Sequence, residues 1–172
     1  HRDLHSFPTR RSSDLYKFAI ATYSYWHFRE PKVTVQEVID HAANLGAHGV
    51  DVLHVQMDNE TPGYLKSLRQ QAENNGVELI CLSIHQDFVD PDKTVRDKNI
   101  EHTLRCIDIA HDLGISYIRL NSGRWNTIKS FDELMANRGI EPVLPGFTED
   151  DGFNWCIESI MEIGRASCRE RV

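Results

Sequence analysis

Three phrases in this sequence repeat one device. "NLGAHGVDVL", "NNGVELICL" and "DLGISYIRL" each end a helical pattern at a glycine and then open a run of strand-favouring residues. Gly46, Gly76 and Gly114 mark the stops, because the left-handed residue that closes a helix is most easily supplied by glycine. Before the first stop, Thr34 and Glu37 stand in capping-box spacing, and Val35, Val38, Ile39, Ala42 and Leu45 form a stripe of helical period. Before the second, Thr61 and Pro62 read as an N-cap followed by proline at the first helical position, and Leu65, Leu68 and Ala72 continue the apolar face. Before the third, a longer helix from about Val95 carries Ile100, Leu104, Ile107 and Leu113. The intervening runs predict strands over 16–26, 49–57, 77–88 and 116–123. Strands and helices alternating in this way imply a parallel sheet with crossover helices.

A closed (β/α)₈ barrel takes about 250 residues. Four units fit its front half, so the expected fold class is α/β, a partial (β/α)₈ TIM barrel of about the first four βα units. The rival is a doubly wound open sheet, which usually places a glycine-rich phosphate loop after strand one; "YSYWHFREP" there contains no glycine. After strand four the stretch 123–153 is polar and punctuated by Pro142, Pro145 and Gly146. It reads as a long excursion from the top of the barrel with a short helix near Phe131–Ala136. Phe153, Ile157, Ile160 and Met161 then resume a helical stripe.

The two ends follow a different logic. The opening "HRDL" spells the start of a kinase catalytic loop, but that loop needs an asparagine at its eighth position, where Pro8 stands. Back-translation of residues 5–15, "HSFPTRRSSDL", gives DNA whose opposite strand, in an offset frame, encodes "IGRASCRERV", residues 163–172. That DNA is a common short-read sequencing adapter, and its upstream part supplies His1–Leu4. Residues 1–15 and 163–172 are therefore read as adapter-derived and not native, and set aside from the fold. Residues 16–162 are read as the N-terminal half of a longer protein. Without the ends, 13 basic residues face 23 acidic ones, a net charge of −10. Such a balance disfavours nucleic-acid or acidic-membrane partners. Cys81, Cys106 and Cys156 lie far apart in apolar runs, as reduced thiols of a cytoplasmic protein do. No apolar run approaches the roughly 20 residues of a membrane helix.

Parallel strands are normally apolar on both faces, so polar alternation within them carries information. Strand three sets Ile80, Leu82 and Ile84 against Leu79, Cys81, Ser83, His85 and Asp87, turning polar toward its C-terminal end. Strand two places His54 and Gln56 in the same way, and strand four Arg119 and Asn121. Barrel active sites occupy the C-terminal ends of strands. His54, His85, Asp87, Arg119, Asn121 and Arg124 are thus expected to converge on one polar mouth, with Trp26, His27 and Trp125 as an aromatic rim. A lone strand-end histidine more often satisfies a structural hydrogen bond than serves chemistry, and Arg119 has an ion-pair reading of equal weight.

"GVDVLHVQM", "LSIHQDFVDPD", "RCIDIAHDLGISYIRLNSGRW" and "TIKSFDELMANRGIEPVLPGFTEDDGFNW" resemble the sugar phosphate isomerase/epimerase family, the xylose-isomerase-like TIM barrels. The resemblance implies an enzyme that moves a proton next to a carbonyl of a sugar or related polyol, with a divalent metal (Mn, Mg, Co or Zn) polarising the oxygens. It also implies that the catalytic carboxylates and metal ligands lie on strands five to eight. No catalytic residue or metal ligand is therefore assigned here, no ion is expected on this fragment, and the fragment is expected to be inactive. The substrate-binding candidates are His85, His54, Asn121, Arg124 and Trp26. The expected partner is a small sugar or polyol, with no nucleic acid and no membrane, in a cytoplasmic and homo-oligomeric parent. Two alternatives share the fold: an endonuclease-IV-like zinc phosphodiesterase using His54 and His85, and a non-catalytic sugar-binding barrel.

Overall fold

The computed structural model describes residues 16–25 and 32–169. The chain divides into two compact units, His1–Cys81 and Leu82–Val172.

In the first unit, β1 (Ala19–Ala21) is followed by a 3-10 turn over Thr22–Tyr25, then by α1 (Val35–Asn44), β2 (Gly49–Leu53), a 3-10 turn over His54–Gln56, and α2 (Pro62–Asn74). β1 and β2 pair in parallel, with Ala19 opposite Gly49 and Ala21 opposite Asp51. The capping box forms as its spacing predicts: the Thr34 hydroxyl accepts the Glu37 N–H, and the Glu37 carboxylate accepts the Thr34 N–H at 2.7 Å. Val35, Val38, Ile39 and Ala42 of the predicted stripe are the buried face of α1, at most 1% exposed, whereas Leu45 is the C-cap residue beyond the helix and is 71% exposed. Val50, Val52, Leu53, Leu65 and Leu68 complete the interior of this unit. Thr61 caps α2 and Pro62 opens it.

β3 (Glu78–Ser83) begins in the first unit and ends in the second, which adds α3 (Lys93–Leu113), β4 (Ile118–Arg119), α4 (Phe131–Ala136) and α5 (Glu149–Arg169). β3 and β4 pair in parallel, Leu82 opposite Ile118 and Ser83 opposite Arg119. α3 packs along α5, and between them Phe88, Ile100, Cys156 and Ile163 form a core flanked by Val89, Leu104 and Ile107. Gly152, Cys156, Ser159 and Ile163 recur on one face of α5, so its buried stripe runs unbroken past residue 162.

The repeated device is a Schellman closure made three times. Gly46, Gly76 and Gly114 sit at φ +70°, +66° and +74°. The next residue donates back to an alanine carbonyl each time: Ala47 to Ala42, Val77 to Ala72, and Ile115 to Ala110, at 2.8–2.9 Å. Strand lengths depart from expectation. β1 and β2 stop early because the chain turns into 3-10 geometry at Thr22 and His54. The Thr22 hydroxyl accepts the Leu53 N–H at 2.8 Å inside the first unit, fixing both turns together. His54 is consequently a turn residue and not a strand residue. α3 starts at Lys93 under an Asp92 cap, and α5 starts at Glu149, both earlier than their apolar stripes suggest.

Candidate functional site

Beyond its ladder, the chain leaving β3 stays tied to the end of β4 and to the segment after it. Ile84 N–H donates to the Arg119 carbonyl at 3.4 Å, and Phe88 N–H to that of Ser122 at 3.0 Å. Between these ties lies a polar recess of about 470 Å³, lined in part by Gln86, Asp87, Asn121, Gly123, Arg124 and Asn126. Its volume is within the range of small-molecule sites.

Asp87 is the hub of this recess. Its own N–H is held by Asn99 of α3 at 3.1 Å. One carboxylate oxygen accepts the Arg124 N–H at 3.4 Å, and the other accepts the side-chain amide of Asn126. Asn126 reaches it from a left-handed conformation, φ +55°, which asparagine tolerates better than most residues. Gln86, 5% exposed, braces the floor: its amide donates to the Thr103 hydroxyl at 3.1 Å and its oxygen accepts the Asn121 N–H at 3.3 Å. Gly123 lies so close to Asp87 and the Phe88 N–H that any side chain there would collide with the backbone.

Arg124 lines the recess by its backbone while its guanidinium points elsewhere. It donates to Glu141 at 2.7 Å and to the Ile128 carbonyl at 3.0 Å. The Glu141 side chain is only 5% exposed, and it also accepts the Thr127 N–H at 3.0 Å. Burial pushes its carboxyl up, but the Arg124 and Thr127 bonds outweigh that and hold its pKa below the usual glutamate value. This pair clasps the start of the 123–153 excursion to its middle. A group with a depressed folded pKa contributes stability above its unfolded pKa and loses it as pH falls through the folded one. Glu141→Gln is thus expected to cost about 1–2 kcal/mol at pH 7. The gap to wild type should shrink once pH drops below about 4.5, as read by urea unfolding at both pH values.

Of the predicted site residues, the second unit brings together Asp87, Asn121 and Arg124. His85 and Arg119 are exposed neighbours that do not line the recess. Burial first, and then the Arg119 charge, lowers the His85 pKa, favouring a neutral imidazole. His54 belongs to the first unit, where its Nε2 meets Glu60 at 2.8 Å with the imidazole 10% exposed. Trp26 and His27 lie outside the described residues. Trp125 packs against Gly152 of α5 and meets Trp155 edge-on at 5.9 Å, so it is a packing aromatic.

The sequence reading missed Gln86, Asn126 and Glu141. Gln86 alone carried a signal, as the polar continuation of the helix-facing series Ile80, Leu82 and Ile84. As for a metal, the recess presents one carboxylate, and both its oxygens already accept N–H donors. That donor set does not fit a divalent cation.

The family model described as "Xylose isomerase-like TIM barrel" matches residues 39–169. The chain belongs to that family. Solved structures agree on the fold of this xylose isomerase-like barrel. A D-psicose 3-epimerase determined in the presence of D-fructose aligns over 86% of the chain with TM-score 0.66 and 22% identity. The D-psicose 3-epimerase of Clostridium cellulolyticum H10, determined with D-tagatose, aligns over 87% with TM-score 0.63 and 15% identity. A 3-keto-D-glucoside 4-epimerase from E. coli aligns over 89% with TM-score 0.60 and 13% identity. The chain spans 47%, 48% and 53% of those three chains. No helix among the described residues is long and apolar enough to cross a membrane.

Proposed function

We propose that the whole protein is a divalent-metal-dependent sugar or sugar-phosphate isomerase or epimerase, and that this chain supplies the part of its mouth that grips substrate hydroxyls. The reading rests on the polar recess at the C-terminal ends of β3 and β4, in a family whose fold places active sites there. The side-chain amide of Asn121, the amide oxygen of Asn126, the exposed Ser122 and the Asp87 carboxylate suit a polyhydroxylated ligand better than an apolar or polyanionic one. The related epimerase structures, determined with D-fructose and D-tagatose, point to the same substrate class.

The divalent ion would supply Lewis-acid polarisation of the carbonyl and hydroxyl oxygens. Since the recess holds no cage for it, the ion and the carboxylate that moves the proton belong to residues outside this recess. The chain's own residues bind and orient: Gln86 and Thr103 fix the floor, and Asp87 fixes Asn126. We infer accordingly that residues 16–162 are the N-terminal half of the enzyme, that 1–15 and 163–172 are foreign to it, and that the chain alone turns nothing over.

Titration of the ¹⁵N-labelled chain with D-fructose and D-psicose tests the reading. Shifts confined to the side-chain and backbone amides of Asn121–Asn126 are expected, abolished by Asp87→Ala. Shifts elsewhere only, or none, would sink it. Turnover of either sugar by the chain with Mn²⁺, Mg²⁺ or Co²⁺ would overturn the assignment of catalysis to residues beyond it.

A further inference from the structure

Arg124 and Asn126 line the recess from a short stretch, 124–127, that two carboxylates hold at once. Asp87 takes the Arg124 N–H at 3.4 Å and the side-chain amide of Asn126. Glu141 stands outside the recess lining. One of its oxygens takes the Arg124 guanidinium at 2.7 Å, and the other takes the Thr127 N–H at 3.0 Å. Between those two residues in the chain sits Asn126, at φ +55°. A residue with a side chain keeps such a torsion only where its surroundings over-determine it. Asp87 does part of this by gripping the Asn126 side chain, and Glu141 does the rest by fixing the chain before and after it.

Glu141 reaches that place because residues 128–142 close on themselves. Ile128 and Leu134 are buried. α4 ends in two successive left-handed residues, Arg138 at φ +57° and Gly139 at φ +76°, and the Gly139 N–H donates back to the Leu134 carbonyl at 2.8 Å. The chain then returns to where it left: the Thr127 hydroxyl donates to the Pro142 carbonyl at 2.8 Å, and Arg124 to that of Ile128 at 3.0 Å. With its side chain 5% exposed, Glu141 makes its bonds where water competes little and a charge-assisted bond is strong. The Arg124 side chain is 39% exposed, so a guanidinium released from Glu141 turns to water and no longer holds the stretch. A glutamine cannot replace the glutamate, because its amide sets a donor where the second acceptor is needed.

We propose that Glu141 is a positioning residue for the recess, setting Asn126 and the Arg124 backbone against Asp87 without touching the ligand. The inference rests on the reading of the recess as a sugar grip. Titration with D-fructose, followed at the Asn121 and Asn126 amides of the ¹⁵N-labelled chain, tests it. Glu141→Gln should weaken the Kd about tenfold, and Glu141→Ala by more, as a displaced contact group does. The Asn126 side-chain amide signal should move in both variants before any sugar is added. Gly146→Ala, on the same excursion and of similar expected cost in stability, should leave that signal in place and the Kd within about twofold. Circular dichroism identifies the folded variants, and Glu141→Gln decides alone if the alanine variant unfolds. An unchanged Kd and an unmoved Asn126 signal in folded Glu141→Gln would overturn the inference and leave the sugar reading standing. An equal loss in Gly146→Ala would also overturn it, by reducing the effect to general destabilisation. A wild type whose recess amides ignore sugar, while Glu141→Gln still moves the Asn126 signal, would keep the positioning and sink the sugar reading instead.

Discussion

Replacing Phe88 by alanine is expected to lower the unfolding free energy of the second unit by about 3–5 kcal/mol. Phe88 is 0% exposed and is the largest of the fully buried side chains. Its ring fills the space between α3 and α5 against Ile100, Cys156 and Ile163. Truncation removes the apolar area and leaves a cavity that two packed helices cannot readily close. Domains have only about 5–15 kcal/mol in hand, so one such loss reaches the threshold of folding. The site should follow the core, because the Phe88 N–H bond to Ser122 ties β3 to the segment that carries Gly123. Chemical denaturation followed by tryptophan fluorescence reads the effect, since Trp125 and Trp155 both lie in this unit. Phe131→Ala, at a ring 64% exposed, is the matched control and should stay within about 0.5 kcal/mol of wild type. Equal losses at the two positions would mean that the α3–α5 core does not hold this unit together.

Local signals in the sequence carried the architecture further than the site. Helix stops are written in one residue type with one geometric job, which is why Gly46, Gly76 and Gly114 fall where the phrases place them. The Thr34 and Thr61 caps and the short helix Phe131–Ala136 are legible for the same reason: each needs only neighbours within four residues. Strand ends are not local. β1 and β2 keep their apolar alternation into the 3-10 turns, and only the Thr22 hydroxyl, paired 31 residues away with Leu53, marks where the strand gives out. Alternation along strand three puts Asp87 and His85 on the same side, and the substrate-binding candidates name His85 and leave Asp87 out, since parity cannot tell a residue held over a recess from one left exposed. The clasp was invisible for a related reason. Arg124 reads as a substrate-facing cation until Glu141, 17 positions on, is found buried against it. The family supplied the expectation of metal chemistry, and no spacing within residues 16–162 would have led there.

Gly123→Ala is the change expected to disable the recess itself. Gly123 stands at φ +96°, a conformation that a side chain strains. An added Cβ would also lie 2.8 Å from the Asp87 Cα and 2.9 Å from the Phe88 nitrogen, as well as overlapping the Asp87 carboxylate. A carboxylate can rotate aside, whereas the two backbone atoms can yield only if the Phe88–Ser122 bond lengthens and β3 separates from the segment after β4. Strain and overlap can be measured apart, because Gly146 has nearly the same torsion, φ +92°, with nothing within 4 Å of its missing Cβ. Gly146→Ala should cost about 1–2 kcal/mol, the strain of the left-handed torsion alone. Gly123→Ala should cost about 1–3 kcal/mol more, as overpacking does, and should erase the sugar-induced shifts at Asn121 and Asn126. Equal costs for the two alanines would show that the chain at Gly123 can open without penalty. The recess would then be a loose surface fold instead of a built pocket, and its claim on a substrate would fail with it.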